Sequence, residues 1–131
     1  MRFLLDTDTC ILVLRQRQPV LGRFFQYGPD DVAISAMNEA ELRFRARKSV
    51  QSDVALARLE AFLAPLLVLP FDSAGASRHA ELRFAMRNAP IGERDLVIAA
   101  VAVANGLALV THNTREFSRV PGLALEDWAG V

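Results

Sequence analysis

Four acidic side chains stand where short apolar runs end or the next helix starts: Asp6 after Phe3-Leu4-Leu5, Glu41 in the helix after Val32-Ala33-Ile34-Ser35, Asp95 ahead of Leu96 to Ala104, and Glu116 after Leu107 to Val110. Four carboxylates sharing one pocket cannot all stay ionised without cations. An all-oxygen set with no Cys or His at metal-site spacing selects Mg2+ or Mn2+ over Zn2+. Such an ion keeps several waters and leaves room for a phosphate oxygen. The chemistry this suggests is metal-assisted hydrolysis of a phosphoester, with one water activated by metal and carboxylate.

Each acid also has a plainer reading. Asp6 could cap the following helix, as Asp8 or Thr9 could equally do. Asp95 is the sole acid within Asp95 to Ala104 and suits a helix start through the macrodipole. Glu41 falls with Met37, Ala40 and Phe44 on what reads as the buried stripe of its helix, so its charge needs either an Arg partner or a bound cation. Glu39 lies off that stripe and reads as solvated, as does Glu93 in a loop. Thr111, Asn113 and Glu116 put three oxygen-bearing side chains at one strand end, or make an ordinary capped turn. His112 could be a metal ligand, although a lone His in a polar loop is more often not one, and His79, mid-helix, has no partner at metal-site spacing.

These positions make sense only if a sheet gathers them. The short apolar runs do not alternate and are separated by helices, which indicates a parallel sheet covered on both faces. The strands expected are Phe3 to Leu5, Val32 to Ser35, Leu66 to Leu69, Leu107 to Val110, and a short fifth at Leu123 to Leu125. The helices expected are Cys10 to Arg15, Pro19 to Phe25, Met37 to Ser49, Asp53 to Leu63, Ser73 to Asn88 and Asp95 to Ala104. Asn105-Gly106 closes the last of these with a left-handed stop signal. In such α/β folds the site lies outside the carboxyl ends of the strands, here after Leu5, Ser35 and Val110.

The chain has 131 residues, 52% of them apolar, which suits one domain over residues 1–131 and excludes disorder. The longest apolar run, Leu96 to Ala104, falls far short of the ~20 residues a membrane span needs. Met1 to Asp6 holds no signal-peptide core and the one cysteine, Cys10, forms no internal disulfide, so a cytoplasmic domain is expected. Fifteen Lys+Arg balance fifteen Asp+Glu, yet every cation except Lys48 is Arg, the better group for forked contacts to phosphate. Arg43, Arg45, Arg47 and Lys48 cluster within one helix. They serve either as a solvated face or, once a metal neutralises some acids, as part of a positive surface.

In order and spacing these motifs resemble a PIN-domain ribonuclease of the VapC toxin type, enteric-like branch. The resemblance runs from Phe3-Leu4-Leu5-Asp6-Thr7, through Ile34-Ser35 and Glu39-Ala40-Glu41-Leu42-Arg43-Phe44, to Pro90-Ile91-Gly92 with Asp95 and Ile98-Ala99-Ala100. It continues in Leu109 to Phe117, Val120-Pro121-Gly122-Leu123 and Glu126-Asp127-Trp128. It implies an acidic site of Asp6, Glu41, Asp95 and Glu116, with Asp6, Asp95 and Glu116 holding the metal and Thr7, Thr111 and Asn113 in support. It implies a Mg2+-dependent endoribonuclease acting on tRNA, initiator tRNA among similar members, that works as a homodimer and is neutralised by a cognate VapB-type antitoxin. Asp8 and Arg45 depart from the family pattern, where Asn and a small residue are common; Asp8 is expected to cap the helix. Arg43, Arg47 and Lys48 are expected to hold RNA phosphates; Leu14, Phe24 and Phe25 either serve antitoxin or dimer contacts or, the commoner fate, pack into the core. The alternatives are a non-catalytic RNA-binding module of the same fold, a metal-free ribonuclease using His79 and His112, and a phosphoryl-accepting signalling domain. That last needs a Lys near a strand end, which Lys48 does not supply.

Overall fold

Phe3–Leu5 has no polar side chain to offer solvent, and it becomes β1, the central strand of the sheet, buried at every position. The computed structural model describes residues 1–130. Its order along the chain is β1, α1 (Thr7–Leu14), α2 (Val20–Tyr27), β2 (Val32–Ser35), α3 (Ala36–Arg47), α4 (Ser52–Leu63) and β3 (Leu67–Leu69). Then follow α5 (Ser73–Ala85), α6 (Glu93–Ala104), β4 (Ala108–Val110), α7 (Thr114–Phe117) and β5 (Leu125–Glu126). The five strands are parallel in the order β3-β2-β1-β4-β5. This is the α/β arrangement expected, with a sheet covered on both faces.

Strand pleating divides the core in two. Leu4, Ala33 and Leu109 face α5 and α6, where Ile98, Ala99, Val101 and Ala102 are buried. Phe3, Leu5, Val32, Ile34 and Val110 point the other way, against Cys10 and Val13 of α1, Leu42 of α3 and Leu59 of α4. Trp128 closes this second face, stacked on Tyr27 and edge-on to Phe3. No helix among the described residues is long and apolar enough to cross a membrane.

Several boundaries differ from expectation for identifiable reasons. Helix α1 starts at Thr7, three residues before Cys10, because Asp6 itself is the cap: its side chain accepts from Thr7 N–H. Helix α6 starts at Glu93, so that exposed residue lies in a first turn instead of a loop. A short helix, α7, occupies Thr114–Phe117, too brief for a periodic pattern to show. On α3 the buried stripe is Asn38, Leu42 and Ala46, not Met37, Ala40 and Phe44. Phe44 is 65% exposed, and the Lys48 ammonium sits over its ring.

Candidate active site

The carboxyl ends of β1, β2 and β4 lie side by side, since Leu4 pairs with both Ala33 and Leu109. Asp6 leaves β1 there and is held on three sides. Its N–H donates to the Val110 carbonyl at 2.9 Å. Its Oδ1 accepts from Thr7 N–H at 2.8 Å, and its Oδ2 accepts from the Thr111 hydroxyl at 2.8 Å. Asn113 N–H in turn donates to Thr111 Oγ1 at 3.0 Å, which ties the loop after β4 to the same carboxylate. Asp6 therefore caps α1 with one oxygen and anchors the loop after β4 with the other.

Only 6% of Asp6 is exposed, and among the described residues no cation forms an ion pair with it. Burial pushes its pKa up to about 7, and the charges of Asp8 and Asp95 add to the rise, against the lowering effect of the Thr111 and Thr7 hydrogen bonds. Asp95, in the first turn of α6, is raised too, by burial first and then by Glu41 and Glu116, with Asp8 adding and Arg94 opposing. Asp6, Asp8, Glu41, Asp95 and Glu116 thus form one electrostatic group drawn from β1, α1, α3, α6 and α7.

Within this group the acids differ. Glu41 Oε1 accepts from the Thr7 hydroxyl at 3.0 Å, and among the described residues no Arg pairs with it. Glu116 is half-exposed and bonded to Arg119 at 2.8 Å, while Arg119 also reaches the Ala89 carbonyl. Asp8 does not cap α1. It lies within the first turn, accepts from the Thr9 hydroxyl and from His112 N–H, and adds charge to the pocket. Among the described residues no three His, Cys, Asp or Glu side chains are gathered closely enough to hold a metal ion.

The expected RNA-binding residues separate in the same way. Arg43 is committed: its Nε meets Glu39 at 2.7 Å and its Nη1 meets Glu60 at 2.5 Å, and those bonds raise its pKa further. Arg47 and Lys48 are exposed at the end of α3. Leu14, Phe24 and Phe25 line a groove of about 670 Å³ between α1, α2 and α4. The two histidines do not meet. His112 Nδ1 bonds Asp127 at 3.0 Å, whereas His79 lies on α5 edge-on to Phe71.

Asn38 is the residue that sequence reasoning missed. It is fully buried and reciprocates the Ser35 cap of α3. The signal was present in Ser35-Ala36-Met37-Asn38, a capping-box spacing with Asn in place of the usual Glu or Gln.

An acid cluster at the carboxyl edge of a parallel sheet of this order defines the class, and comparison with known proteins agrees. The PIN domain model matches residues 3–123. The chain belongs to the PIN-domain family, among its VapC members. It is 35% identical over 130 residues to the tRNA(fMet)-specific endonuclease VapC of Salmonella typhimurium, covering 98% of both chains. It is 36% identical over 131 residues to the protein of the same name from Shigella flexneri, covering 98% of this chain and 99% of that one. The crystal structure of DNA-bound VapBC from Salmonella typhimurium superposes with a TM-score of 0.93 at 35% identity, over 98% of this chain and 99% of that one.

Proposed function

We propose that this protein is a Mg2+-dependent endoribonuclease toxin that cuts tRNA, initiator tRNA foremost, and is held in check by a VapB-type antitoxin. The relatives named as tRNA(fMet)-specific endonucleases support the substrate, and the VapBC complex among its structural neighbours supports the partner. One observation carries the reading: Asp6 is buried beside Asp8 and Asp95 without a cation, at the edge where the other acids converge.

The donor set fits Mg2+ or Mn2+. It is all oxygen, and an ion that retains several waters needs only one or two carboxylates in direct contact. Asp6, Asp95 and Glu116 would surround the ion, one or two of them in direct contact and the rest reached through its waters. When bound, it would supply Lewis acidity and a more acidic water. Thr7 and Thr111 fix the acids they touch, and Asn113 fixes Thr111. Glu41, free of any guanidinium, takes the proton of the attacking water. The water oxygen then bonds phosphorus as the bond to the 3′-oxygen breaks, and the departing 3′-oxygen takes a proton from solvent, leaving a 5′-phosphate and a 3′-hydroxyl.

Arg47 and Lys48 are the better phosphate contacts, since Arg43 is spent on Glu39 and Glu60. The groove at Leu14, Phe24 and Phe25 is an apolar seat for the antitoxin, and a homodimer is the assembly expected.

The deciding experiment incubates purified protein with initiator tRNA in Mg2+ and in EDTA, with Asp95→Asn alongside. Cleavage is expected only for the wild type in Mg2+, with 5′-phosphate ends. Undiminished cutting in EDTA with cyclic phosphate ends would favour chemistry at His112 and overturn the metal reading.

A further inference from the structure

Behind the acids lies a buried amide whose orientation is forced. Asn38 is 0% exposed, and its Oδ1 accepts from Ser35 N–H at 2.9 Å and from the Ser35 hydroxyl at 2.6 Å. A backbone N–H can only donate, so the oxygen must face Ser35, and flipping the amide would set donor against donor. The Nδ2 group is thereby aimed at Thr7 Oγ1, 3.1 Å away. Thr7 Oγ1 receives that donor, and its own proton goes to Glu41 Oε1 at 3.0 Å. The relay runs one way, from a main-chain N–H through Asn38 and Thr7 into a carboxylate.

Glu41 is the acid this relay serves. Glu116 is oriented by Arg119, and Asp6 by Thr7 N–H and Thr111. Glu41 has only the Thr7 hydroxyl among the described residues, and that hydroxyl has its direction only because Asn38 occupies the other side of the oxygen. One carboxylate oxygen is thus occupied, and the other is left to serve the attacking water.

We propose that Asn38 is a positioning residue for the nuclease reaction, acting through Thr7 to orient Glu41. This rests on the hydrolytic reading given above. A helix-cap role alone predicts a different outcome, because the cap needs only the acceptor half of the amide. The donor half faces the site.

The test is a double-mutant cycle on RNA cleavage. Thr7→Val removes the hydroxyl without touching the cap, and Thr7→Ser keeps it. Asn38→Asp retains the acceptor for Ser35 and turns the donor into an acceptor that draws the Thr7 proton away from Glu41. Thr7→Val and Asn38→Asp are each expected to lower kcat by about 10- to 100-fold with KM for RNA within about twofold, a loss confined to the chemical step. Thr7→Ser should stay within about threefold of wild type, and the double variant within about threefold of Thr7→Val alone, since both act through one hydroxyl.

Effects on kcat that multiply would overturn the inference while leaving the nuclease reading intact, as would full kcat in Thr7→Val. Should Asn38→Asp fail to fold, Asn38→Ser takes its place: its shorter side chain gives up the Thr7 contact, and combined with Thr7→Val it should again cost no more in kcat than Thr7→Val alone. A wild-type protein that cuts no RNA overturns the hydrolytic reading and this inference with it.

Discussion

Asp6 carries two hydrogen bonds and no countercharge, and the imbalance has a measurable signature. Its folded pKa of about 7 lies above the roughly 3.9 of an unfolded Asp. Between those values the folded chain binds a proton that the unfolded chain does not. Stability is therefore full below about pH 4 and is lost as pH rises through about 7, by an amount on the order of a few kcal/mol. Urea melts in EDTA should show the wild type weakening from pH 5 to pH 8, with Asp6→Asn nearly flat over that window. A wild type as pH-independent as the variant would remove the raised pKa from the account. Mg2+ binding near pH 6 should release protons, which calorimetry in buffers of different ionisation enthalpy can count. Asp6→Asn should also abolish RNA cleavage while leaving the fold intact.

The elements were legible in the sequence wherever burial is total. Val32 to Ile34 and Leu107 to Val110 are unbroken apolar runs, the pattern a parallel strand buried on both faces favours. Helix α3 was harder, because its buried stripe begins with a polar residue, Asn38, while the large apolar Phe44 projects into solvent. Asp6 and Glu116 were legible at strand ends, Asp95 at a helix start and Glu41 on a stripe that the fold does not bury. The hydrogen bonds among them were not, since Thr7 and Asn38 meet only in the fold. The corrected stripe is testable. Leu42→Ala should cost about 2–5 kcal/mol in urea unfolding, whereas Phe44→Ser should stay within about 0.5 kcal/mol. Equal losses would mean that α3 is rotated relative to this account.

Across the whole molecule a formal charge of zero conceals a segregation of signs. Asp6, Asp8, Glu41, Asp95 and Glu116 gather at one rim of the sheet, and Arg45, Arg47 and Lys48 cluster where α3 ends. RNA binding should weaken steeply as salt rises, and Arg47→Ala should lower the slope of log K against log[salt] by about one. Arg43→Ala should leave that slope nearly unchanged, because its charge is already answered by Glu39 and Glu60. An unchanged slope for Arg47→Ala would move the RNA path elsewhere. The parallel order β3-β2-β1-β4-β5 has one more outcome, because the rim draws on segments from near both ends of the sequence. Divided between α4 and β3, the protein would yield one fragment holding Asp6 and Glu41 and another holding Asp95 and Glu116. Each should be harmless to a cell producing it alone, and toxicity should return only when the halves are brought together, which makes this scaffold a natural split reporter.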